Sequence, residues 1–111
     1  MRPGQVQPNE FELAVLNRIA AKDPAIGSIN QLHVLSREFT GVGSFTNFVC
    51  PREGDERMFS LDDPIQMPGV PNGLGAVLYL KANQPKMLEI FTFGSDHWEG
   101  IYDGFSIESA A

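Results

Sequence analysis

Glu89 is the residue whose setting departs most from its chemistry, a carboxylate between Leu88 and Ile90 in the largely apolar run from Met87 to Phe93. Apolar surroundings favour the neutral form of a carboxyl group, which raises its pKa and readies it for acid-base work. The plainer alternative is an ion pair with an arginine such as Arg37, or a strand end near solvent. Asp96-His97-Trp98-Glu99 puts three metal-ligating side chains within four residues, and His33 on an early strand is a fourth. HxH, HxxxH and CxxC spacings are all missing, however. Neighbouring strand residues point to opposite faces, so Asp96 and His97 converge only if the segment is a turn. A solvated loop is the expectation there, with no metal and no cofactor.

Other chemistries find less support. Cys50 and His33 are a nucleophile and a base by type, but a lone cysteine in Asn47-Phe48-Val49-Cys50-Pro51 reads as a small core hydrophobe. The G-x-S-x-G and G-x-x-x-x-G-K-(S/T) patterns are absent, so serine-hydrolase and phosphate-loop readings fail. Gly69 to Gly75 has glycines without a following lysine or helix and reads as a flexible entry to a strand. Trp98, Tyr102 and Phe105 lie among Asp96, Glu99 and Asp103, which suits an interface where rings anchor and acids steer a basic partner. The same rings would equally fill the edge of a core.

Charge bears on that choice. The 111 residues include 14 Asp and Glu against 8 Lys and Arg, for a net charge of -6. Through Lys86 there are nine acidic and eight basic residues, whereas Met87 to Ala111 has five acids, no Lys or Arg, and five of the eleven aromatics. Phosphate neutralisation needs clustered basic residues, so general nucleic-acid binding is excluded while a basic protein partner stays open. Met1-Arg2-Pro3-Gly4-Gln5 carries no apolar leader and no apolar run nears the ~18 to 20 residues of a membrane span. With one cysteine, and hence no intrachain disulfide, the expected compartment is the cytoplasm.

These residues need elements to position them. Residues 1–8 read as a loose lead-in and 9–111 as one α+β domain. Asn9 with Glu12 three residues on forms a capping-box pattern, and Phe11, Val15, Leu16, Ile19 and Ala20 follow at helical spacing until Asp23-Pro24. Gln31 to Phe39 and Ser44 to Cys50 read as strands around Gly41-Val42-Gly43, a tight turn or bulge. Residues 51–73, with four prolines, read as a long functional or mobile loop with a short strand near Met58 to Leu61. Gly75 to Lys81 and Met87 to Phe93 form a hairpin, and Gly104 to Ile107 a last short strand. With Ala82-Asn83 as its turn, Val77 opposes Leu88 and Leu78 opposes Met87, so Glu89 shares a face with Met87, Phe91 and Leu74. A longer turn shifts that facing by one residue. Both hairpin faces are apolar, which calls for the helix on one side and the long loop or a second copy of the chain on the other.

Phe39-Thr40-Gly41-Val42-Gly43-Ser44-Phe45-Thr46, Gly73-Leu74-Gly75-Ala76-Val77-Leu78-Tyr79-Leu80 and Leu88-Glu89-Ile90-Phe91-Thr92-Phe93 resemble segments of a group of small uncharacterised bacterial proteins. Ile90 stands where that group has glycine, and Ala82-Asn83 where it has an Asp-Gly turn. The resemblance implies a bacterial cytoplasmic protein and a shared fold, and brings no activity with it.

The expected architecture is an N-terminal helix packed on a mainly antiparallel sheet of four to six strands. The expected function is a non-catalytic binding or interaction module, immunity- or adaptor-like, with Asp96, His97, Trp98, Glu99, Tyr102 and Asp103 facing a basic partner. The alternative is a small-molecule or enzyme pocket between helix and sheet, holding Glu89 under the 51–73 loop, and homodimerisation is a third reading.

Overall fold

A computed structural model describes residues 6–107 apart from 24, 25, 27, 28, 30, 52 and 95. One helix, α1 (Glu10–Ala20), opens the fold. Its capping box forms as the spacing predicts: the Glu12 amide donates to Asn9 Oδ1 at 2.8 Å and the Asn9 amide donates to Glu12 Oε1 at 2.9 Å. Phe11, Val15, Leu16 and Ile19 recur three and four apart and are at most 2% exposed, so they form the buried stripe. The helix closes at Ala20, where the Ala21 amide donates to the Asn17 carbonyl. Pro24, the stop expected from the sequence, lies outside the described residues, as do residues 1–5 of the lead-in.

Seven strands follow in one antiparallel sheet: β1 (Val34–Phe39), β2 (Gly43–Phe48), β3 (Glu56–Ser60), β4 (Ile65–Met67), β5 (Val70–Lys81), β6 (Gln84–Thr92) and β7 (Ser106–Ile107). Their order is β1-β2-β6-β5-β4-β7, with β3 also against β5. This is the expected helix on a mostly antiparallel sheet. The strand beyond the expected four to six is β4: the short strand expected near Met58 to Leu61 is β3, and β3 and β4 pair with the two halves of the twelve-residue β5. Pro68-Gly69 turns β4 into β5 with Gly69 at φ +84°, as a type II turn requires. The β1–β2 turn has Gly41 at φ +90° and closes with the Thr40 amide on the Gly43 carbonyl.

The core lies on one side of the sheet. Leu74, Ala76, Leu78 and Leu80 of β5 with Leu88 and Ile90 of β6 meet the helix stripe. The chain from residue 96 to β7 covers the rest of that side, and Phe11 meets Tyr102 at 5.2 Å and Phe105 edge-on at 5.0 Å between ring centroids. The molecule's smallest extent, 21 Å, fits these two layers.

The hairpin turn is Ala82-Asn83, with φ +51° and +63°, but its facing differs from expectation. Lys81 opposes Gln84 and Leu80 opposes Pro85, then the register slips so that Tyr79 opposes Met87. Lys86 is the extra residue of a β-bulge beside a proline that cannot donate to the ladder. Leu78 therefore opposes Leu88 and Val77 opposes Glu89, and Leu74 leaves the Glu89 face. A left-handed Ala82 carries a steric cost that glycine lacks. Ala82→Gly is expected to raise unfolding stability by about 0.5 to 1 kcal/mol in urea titration, and an unchanged or lower midpoint contradicts that strain.

Candidate functional site

Polar chemistry gathers at two places. The first is buried. Glu12, 1% exposed, accepts from Arg37 Nη2 at 2.6 Å and Nε at 2.9 Å, from Thr46 Oγ1 at 2.7 Å and from the Asn9 amide. One carboxylate thus joins the helix start to β1 and β2. Burial alone would raise its pKa, but the hydrogen bonds from Arg37, Asn9 and Thr46 with the Arg37 charge outweigh that and hold it below the usual carboxylate range. Arg37 pairs here rather than with Glu89, which the sequence had offered as its partner. The signal for this was present in part, since the capping box marks Glu12, but its longer-range partners depend on the tertiary fold.

The second is the side of the sheet opposite the helix, which no helix or strand among the described residues covers. Register places Glu38, Phe45, Glu89, Val77 and Ser60 in one row across five strands, with Asn47, Met87, Tyr79 and Met58 in the next. Phe45, Val77, Tyr79, Met87 and Phe91 are half-buried, Met58 is 63% exposed and Phe93 46%. Gly75 leaves room for the Phe91 and Phe93 rings, which meet edge-on at 5.4 Å between centroids, because a Cβ there would come within 2.5 Å of Phe91 and 2.9 Å of Phe93. Glu89 sits among these groups and accepts from the Tyr79 hydroxyl at 3.1 Å. That hydrogen bond, with some desolvation and the nearby negative charge, raises the Tyr79 pKa. Since Glu89 faces away from α1, a pocket between helix and sheet does not contain it, and the 51–73 segment supplies β3 and β4 to the sheet itself rather than a lid over Glu89.

The C-terminal segment divides its residues. Trp98 is 3% exposed, with its ring 6.2 Å from Phe11 and 5.7 Å from Tyr102, and its Nε1 donates to the Ile101 carbonyl. Its ring is core, so it offers no anchor to a partner. Tyr102 is half-buried, its phenol pKa raised by burial and then by the Glu12 charge against the opposing pull of Arg37. Asp96 accepts from the Asn72 amide at 2.9 Å and from its side chain at 3.1 Å, so it pins the start of β5. His97 stands exposed beside Gly41, and Glu99 and Asp103 are exposed. Cys50 is half-buried with Sγ 4.0 Å from the carbonyls of Lys81 and Gln84. Among the described residues no three His, Cys, Asp or Glu side chains form a metal-binding group, and no helix is long and apolar enough to cross a membrane.

Compared with protein-family models, curated proteins and solved structures, the chain matches none. The reading of the site therefore rests on the residues themselves.

Two measurements follow. Glu12→Gln leaves the Arg37 charge without its partner and is expected to cost about 3 to 5 kcal/mol of unfolding stability. Because the folded pKa of Glu12 is lowered, its contribution is fully present above the unfolded value of about 4.3 and is lost as pH falls through the lower folded value. Denaturant midpoints measured from neutral to acid pH should show this loss in the parent and less of it in Glu12→Gln; equal acid sensitivity contradicts the depressed pKa. For Tyr79, carbon NMR of the tyrosine rings across alkaline pH should show Glu89→Gln lowering its titration midpoint while Tyr102 stays raised, and an unmoved Tyr79 contradicts the contact.

Proposed function

We propose that the chain is a non-catalytic binding module that takes a protein partner on the helix-free face of its sheet. The observation that carries this reading is the apolar set Phe45, Met58, Val77, Tyr79, Met87 and Phe91, gathered on one open surface around Glu89. Contiguous apolar surface of this kind marks interaction sites more often than bare solvent boundary. Proton-transfer chemistry favours concave sites that exclude water, whereas Glu89 stands on a pleated surface between Phe45 and Val77. A face several strands wide suits a macromolecule better than a small substrate. Residence in the cytoplasm accords with the single cysteine.

The C-terminal acids support a second reading. Glu99 and Asp103 are exposed, and Ile101, 57% exposed, borders a depression of about 370 Å³ that Asp96 and His97 also line. A basic partner would be steered there by charge, with Ile101 and not Trp98 as the apolar contact.

Site-specific photo-crosslinking in the producing cells separates the two. A photoreactive residue in place of Met58 is expected to yield one discrete protein adduct, and one in place of Asn17 on the solvent side of α1 none. An adduct from Glu99 but not Met58 moves the partner to the C-terminal acids, and an adduct of twice the chain's mass identifies a second copy. No adduct from either position ends the binding reading.

A further inference from the structure

Two carboxylates on the helix-free face have no cation with them among the described residues. Glu38 and Glu89 lie one strand to either side of Phe45, in register, with their Cα atoms about 10 Å apart by strand spacing. Among the described residues, the lysines toward the hairpin end of this face are paired: Lys86 with Glu56 at 3.1 Å and Lys81 with Glu53 at 3.5 Å. Any partner that covers Val77, Met87 and Phe91 must also cover Glu89. A carboxylate taken out of water without a cation is strongly destabilising, so the surface discriminates against a wholly apolar partner.

We propose that the partner brings an arginine to the Glu38–Phe45–Glu89 row, its guanidinium lying on the Phe45 ring between the two carboxylates. This rests on the docking face argued above and names its chemistry. A guanidinium is planar, stacks on an aromatic ring, and has five N–H donors directed outward in its plane, enough to reach an acceptor at each edge. A lysine ammonium is a point charge with a stronger hold on its water and has no planar fork to span the pair. Tyr79 donates to Glu89 Oε1, which holds that carboxylate in place and leaves Oε2 as an acceptor. The surrounding Met58, Val77, Met87 and Phe91 supply the dry rim that makes a central charged contact count. A second copy meets the same requirement poorly, because its matching face also presents Glu38 and Glu89 uncompensated.

The test is a selection of short random displayed peptides on the full chain, followed by binding measurements on the winners. Val77→Arg and, as a second block at a more exposed position, Met58→Glu define which peptides use this face; thermal melts establish that each variant is folded. Face-directed peptides are expected to be enriched in arginine over lysine, flanked by apolar residues. Replacing that arginine with citrulline, or combining Glu38→Gln with Glu89→Gln in the protein, is expected to weaken binding about tenfold or more, as for loss of a charge-assisted pair. Face-directed peptides without arginine enrichment, or citrulline forms that bind as well, overturn the inference and leave the docking face standing. Winners indifferent to both blocking variants overturn the docking face and the inference with it.

Discussion

The Glu12 carboxylate is the junction on which the arrangement of this protein depends. It caps α1 through the Asn9 amide, and in the same position it receives Arg37 from β1 and Thr46 from β2. Few residues satisfy a local and a long-range demand with the same pair of oxygens. Taking a charge out of water costs several kcal/mol, so such a group persists only where every acceptor site is used, and here four donors converge. Breaking a buried pair of this kind removes about 3 to 5 kcal/mol from a total that for small domains is about 5 to 15. The same contacts decide which side of the sheet the helix occupies. Phe11, one residue before Glu12, then stands where Trp98, Tyr102 and Phe105 can close around it, so the C-terminal segment is drawn to that side too.

Much of the fold was legible because its signals are local. A capping pair at Asn9 and Glu12, apolar residues three and four apart, and a two-residue turn at Ala82-Asn83 each depend on a few neighbours and need no knowledge of the tertiary structure. Pro68-Gly69 has turn chemistry too, but the four prolines of 51–73 made that stretch read as loop, with Gly69 to Gly75 as a flexible entry to a strand. In fact Pro64 directly precedes β4, Pro68 stands in the turn after it and Pro71 lies at the start of β5, and the short strands β3 and β4 gain their stability from pairing with β5. A strand of three residues such as β4 has too little pattern of its own to announce itself.

The candidate site was less legible because facing in a sheet depends on register. The Lys86 bulge moves every pairing beyond it by one residue, which transfers Glu89 from company with Leu74 to company with Val77 and Tyr79. Pro85 was the available clue, since a strand proline is found at bulges and edges. The acidic and aromatic C-terminal quarter illustrates a second limit. Composition located five rings and five acids in that stretch, but only packing sorts them, with Trp98 inward and Glu99 and Asp103 outward. Arg37 illustrates a third: an arginine can be matched with a carboxylate by eye, and the choice between Glu12 and Glu89 is made by the fold.

The two-layer construction leads to the remaining constraint. β5 and β6 carry large side chains on both faces, but their cover, α1 and the segment after residue 96, lies on one. The other face must stay compatible with water while unpartnered, and Glu89, Tyr79, Lys81 and Glu56 among the apolar residues serve that end. The same polar groups limit what can later dry the surface. Lys81 and Glu56 already have counter-ions and sit toward the hairpin turn, so they tolerate a rim position, whereas Glu89 lies mid-strand with Phe45 and Val77 on either side. An apolar layer would leave it buried and charged, and a like-charged layer would add repulsion to desolvation. On the proposed docking, Glu89 would serve both ends, helping to keep the unpartnered face wettable and selecting for a cationic partner, so a change that made this face more apolar would weaken both at once.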